Sequence, residues 1–153
     1  MDKSHFPSLI ELKNHLQNKI KGGLLITYKN CDNYEGMALS IMIVFDVQKS
    51  KYELDLQWMS LGLDLYGDTL QESYLYQFDS LELLLEYLQI KYGIKITDIP
   101  INYKFDSSQF PDPISNASQK AEFETAWQRF QIDFKKGLFL DPSLKLVFDS
   151  NDY

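Results

Sequence analysis

From Tyr52 to Met59 the chain alternates. Tyr52, Leu54, Leu56 and Trp58 are large and apolar, while Glu53, Asp55 and Gln57 between them are acidic or polar. Successive side chains on a strand point to opposite faces, so this is a half-buried antiparallel strand, apolar side in and acidic side out. Such a strand needs paired neighbours and a hydrophobic layer over one face. The flanking sequence supplies both. Leu24 to Tyr28 reads as a short strand, and Asn30 to Gly36 as a turn. Met37 to Val47 reads as a central strand buried on both faces, and Gln48 to Lys51 as a hairpin turn. After Met59 the apolar phase slips by one, at Leu61, Leu63 and Leu65, which predicts a bulge near Ser60 or Gly62. Gly67-Asp68 suits a tight hairpin turn. Tyr74, Tyr76 and Phe78 then alternate along a further strand.

Helical spacing brackets these strands. Leu9, Leu12, Leu16 and Ile20 recur every three or four residues behind Pro7, with Ser4 or Ser8 as cap and Gly22-Gly23 as the end. A second helix starts at Asp79 or Ser80 and stops at Gly93. Leu81, Leu84, Leu85, Leu88 and Tyr92 form its stripe, widened by Leu83, Tyr87 and Ile90. Ile94 to Ile101 reads as an edge segment limited by Pro100, and 102–115 as a loop. A third helix runs from Asn116 to Lys136, with Phe123, Trp127, Phe130 and Phe134 on one side. Leu144 to Phe148 is a last short strand. The expectation is a single α+β domain over residues 1–153, in the order α, four β, α, loop, α. Its mainly antiparallel sheet has four to six strands, packed against two or three helices.

Charge is unevenly placed. The net charge is −7, from 22 acids and 15 bases. Tyr52 to Ile90 holds eight acids (Glu53, Asp55, Asp64, Asp68, Glu72, Asp79, Glu82 and Glu86) and no Lys or Arg. Such a field attracts a basic partner and disfavours nucleic acid or an anionic membrane. The lone cysteine, Cys31, allows no internal disulfide, and the N-terminus lacks the pattern of a signal peptide; both suit the cytoplasm.

No catalytic, metal or nucleotide motif stands out, so neither cofactor nor metal is expected. Glu53 and Asp55 face the same way about 7 Å apart, which overlaps the spacing of inverting glycosidases. The commoner meaning of that pattern is two solvated carboxylates. His5 and His15, ten apart, fit no helical zinc pair and read as surface residues. Asp32 and Glu35 raise the Cys31 pKa, which argues against a nucleophile. Gly22-Gly23 precedes a strand, the reverse of a phosphate loop. The aromatic stripe of the third helix reads as core.

A small acidic α+β chain, with strands feeding into Phe78-Asp79-Ser80-Leu81-Glu82-Leu83-Leu84-Leu85-Glu86-Tyr87-Leu88, resembles the bacterial immunity proteins of contact-dependent inhibition and polymorphic toxin systems. The resemblance covers about a third of the chain and carries no shared motif. It implies a non-enzymatic inhibitor of a basic toxin domain, such as a nuclease. The expected contact surface comprises Glu53, Asp55, Asp64, Tyr66, Asp68, Glu72, Tyr74 and Tyr76, acids with aromatic anchors. The alternatives are a small carboxylate-dependent hydrolase and a non-catalytic subunit of a larger assembly.

Overall fold

The computed structural model describes residues 5–18, 23–60, 71–102 and 117–150. Five antiparallel strands form one sheet in chain order: β1 (Leu24–Asn30), β2 (Met37–Asp46), β3 (Lys51–Ser60), β4 (Gln71–Phe78) and β5 (Lys145–Asp149). Helix α1 (Leu9–Gln17) precedes the sheet. Helices α2 (Leu81–Tyr92) and α3 (Ala117–Lys135) lie between β4 and β5 in sequence. The arrangement is α+β, as the alternation demanded.

Register puts Tyr52, Leu54, Leu56 and Trp58 of β3 on one face. Ile41 pairs with Leu56 and Ile43 with Leu54, while Leu54 pairs with Tyr76 and Leu56 with Tyr74. Directly paired residues share a face. That face meets Leu12 and Leu16 of α1, Leu81, Leu84 and Leu88 of α2, and Phe123, Trp127, Phe130 and Phe134 of α3, in one core. Full burial of each large apolar side chain contributes roughly 1.5–3 kcal/mol. The aromatic centre of this core is continuous. Phe134 stacks on Tyr74 at 4.5 Å between ring centroids, and Trp58 lies within 6.1 Å of Phe130.

Helix ends follow their caps. Ser8 Oγ accepts from the Glu11 N–H, which selects Ser8 as the cap of α1. Ser80 Oγ accepts from the Leu83 N–H at the start of α2. Gly93, at φ 68°, closes α2 in the left-handed conformation that glycine adopts without cost. Three expectations change. Helix α1 ends at Gln17 with Asn18 as its cap, before the Gly22-Gly23 pair; Ile20 lies outside the described residues. Ile94 to Ile101 contains a 3-10 turn at Ile96–Asp98, with only Pro100 bridging to His5, because the Asp98 carboxylate accepts from the Lys95 N–H and curls the segment. β2 is buried on both faces only from Met37 to Ile41, and alternates beyond that.

β4 and β5 are remote in sequence yet adjacent in the sheet. Ser150 Oγ accepts from the Ser73 N–H and donates to Glu72 Oε2, which fixes the chain's return beside β4. The turn between β1 and β2 ties the third helix down as well. The Tyr34 hydroxyl donates to Asp133 at 2.6 Å, and the Arg129 guanidinium donates to the Asn33 carbonyl.

Candidate functional site

The face of the sheet turned away from the helices is built by the same register. Glu53 lies between Val44 and Gln77, Asp55 between Met42 and Leu75, and Gln57 between Ser40 and Ser73. Phe148 of β5 extends the row beyond Leu75. Met42, Val44, Met59 and Leu75 lie outside the core shared with the helices. The result is a narrow acidic track, Glu53 and Asp55, with apolar flanks.

These carboxylates are not simple solvated groups. Glu53 is only 5% exposed. Burial, with the charges of Asp46 and Asp55, raises its pKa above the ordinary 4.5. Burial likewise raises Asp55 above 3.8, partly offset by the Gln57 amide, which donates to its Oδ2 at 3.1 Å. Raised carboxylates suggest acid–base chemistry, but such chemistry also needs a place for substrate. Cavities of about 380 to 530 Å³ open elsewhere on the described residues, lined by residues other than Glu53 and Asp55.

The other expected contact residues are scattered. Tyr74 and Tyr76 are 1% and 0% exposed, so they are core residues and offer no anchor to a partner. Their strand presents both phenols to the helices because they pair with Leu56 and Leu54. Glu72 is engaged by Ser150. Asp64, Tyr66 and Asp68, with the phase slip and the hairpin turn around them, lie outside the described residues.

The acid-rich window therefore does not form one negative surface. Glu53 and Asp55 lie on one side of the sheet, and Glu82 and Glu86 belong to α2 on the other. Lysines from outside the window also reach into it. Lys13 Nζ contacts Glu82 at 2.7 Å and Lys51 Nζ contacts Asp79 at 2.8 Å, and each pairing lowers the carboxylate's pKa. The lack of bases along the sequence is thus partly filled in space.

Other singled-out residues fall as follows. His15 is half-buried and packs edge-on to Phe6 at 5.0 Å, not on the open surface expected of it. Cys31 is half-buried; burial and the Asp32 charge push its thiol up to about 11, as the neighbouring acids implied. Phe123, Trp127, Phe130 and Phe134 are core. Among the described residues, no group of three His, Cys, Asp or Glu could hold a metal ion, and no helix is long and apolar enough to cross a membrane. Pattern reading missed the burial of Glu53. The signal available for it was positional: the strand that carries Glu53 has a paired strand on each side, and neighbours on both sides crowd a side chain there.

Comparison with protein-family models, with curated proteins and with solved structures returned no significant match in any of the three.

Proposed function

We propose that this chain acts by binding another protein, as an immunity-type inhibitor of a basic toxin domain, through the sheet face that carries Glu53 and Asp55. One observation supports this above the others: two partly desolvated carboxylates lie side by side on a face flanked by Met42, Val44 and Leu75. Holding charge in such surroundings costs stability in the free protein. A cationic partner offsets that cost on docking, and opposite fields speed the encounter. A nuclease cleft is positive because it must hold phosphates, so it matches this surface in charge.

The test is co-expression with the toxin domain encoded beside this gene. Wild type is expected to protect the host cell. Glu53→Gln with Asp55→Asn is expected to lose protection, and to slow association about ten-fold or more at low salt, with the difference shrinking as salt screens the charges. Equal association rates for wild type and the double variant across salt would refute the electrostatic basis. A metabolic neighbour with no toxin gene would refute the immunity role.

A further inference from the structure

A cavity of about 470 Å³ lies on the helix side of the sheet, away from Glu53 and Asp55. Its floor is Leu39, Leu56 and Trp58. One wall is the C-terminal half of α2, with Tyr87, Lys91 and Tyr92; the other is the segment from Leu138 to Pro142. The volume falls within the range of small-molecule sites, roughly 300–1,000 Å³, and such sites combine apolar walls with a few convergent polar groups.

The polar groups here leave donors in excess. Asp141 is already engaged by three donors: its Oδ2 accepts from the Tyr87 hydroxyl at 3.0 Å, and its Oδ1 accepts from the Ser143 N–H and hydroxyl at 3.0 and 2.5 Å. Those bonds, with the charge of Lys91, hold its carboxyl below the usual range, so it stays ionised. Tyr76 is fully buried, and its hydroxyl accepts from the Asp141 N–H at 3.0 Å. Its own proton remains to donate, and among the described residues no acceptor takes it. Burial raises the Tyr76 phenol and pushes Tyr92 up to about 12, so both carry their protons at neutral pH. Lys91 adds an ammonium at the edge of the cavity. The Tyr76 oxygen already has the Asp141 N–H as a partner, and its proton can still meet an acceptor on a ligand.

We propose that this cavity binds a small carboxylic acid with an aromatic or aliphatic body, the carboxylate accepting from Tyr76 and Lys91 and the body lying against Leu56, Trp58 and Phe139. This site is independent of the protein-binding face. The probe is 3-phenylpropanoate, compared with 3-phenylpropan-1-ol, titrated into the full chain while the indole N–H of Trp58 is followed by NMR. The acid is expected to shift that signal saturably and to bind at least five-fold more tightly than the alcohol. Tyr76→Phe is expected to erase most of that preference. Lys91→Gln, an exposed position that leaves the core intact, is expected to weaken the acid five-fold or more and leave the alcohol unchanged. No saturable shift at Trp58, equal affinity for acid and alcohol, or an unchanged preference in Lys91→Gln would each overturn the proposal.

Discussion

At Glu53 a carboxylate sits beside Val44 and Gln77 with little contact with water, and Asp55 sits two residues on between Met42 and Leu75. Burial raises both groups above their ordinary values of 4.5 and 3.8. Between the unfolded and folded values the native state holds more protons than the unfolded chain. The stabilising effect of protonation is therefore complete below the unfolded values and is lost as pH rises through the folded ones. Glu53→Gln with Asp55→Asn should accordingly melt higher than wild type at pH 7. The two melting curves should converge below about pH 4, near the unperturbed carboxylate values. A variant that melts lower at pH 7 would show that these carboxylates stabilise the fold. Because the expected change is a gain, loss of protection by this variant could not be blamed on unfolding.

Elements carry the next level of consequence. The Leu81, Leu84 and Leu88 stripe of α2 was legible from spacing alone, and its start was narrowed to Asp79 or Ser80, of which Ser80 is the cap. Of the three residues that widen the stripe, Tyr87 is half-buried, while Leu83 and Ile90 are 50% and 78% exposed. A helix presents only one face to a flat sheet, and residues outside that arc meet solvent whatever their hydropathy. Ser80→Ala removes the acceptor for the Leu83 N–H and should cost about 1 kcal/mol in chemical denaturation. The Asp98 carboxylate, which bonds the Lys95 N–H, bends residues that pattern alone read as an edge segment. Local side-chain bonding of this kind competes with strand formation and is hard to foresee from hydropathy.

Across the whole molecule, the return of β5 to the edge of β4 closes the fold and encloses the aromatic core. Phe134 is fully buried and stacks on Tyr74, so it links α3 to the sheet. Phe134→Ala should destabilise by about 3–5 kcal/mol in urea unfolding, since neighbouring rings can refill only part of the cavity. The same return also shapes the cavity against Trp58 and Tyr76, with the segment from Leu138 to Pro142 as a wall. No spacing rule brings Asp141 to Tyr76 and Tyr87; the long connection between β4 and β5 does that.

The amino-acid sequence by itself determined the class of fold, the inward set Leu54, Leu56 and Trp58, the outward pair Glu53 and Asp55, and the aromatic side of α3. Periodicity encodes which way a side chain turns within its own element. Tertiary structure alone decided which elements became neighbours. It buried Tyr74 and Tyr76, divided the acidic window between two sides of the sheet, and brought Lys13 and Lys51 to Glu82 and Asp79. Charge along a chain is a one-dimensional quantity. The field that a partner meets depends on pairing and burial in three dimensions, and those follow from packing.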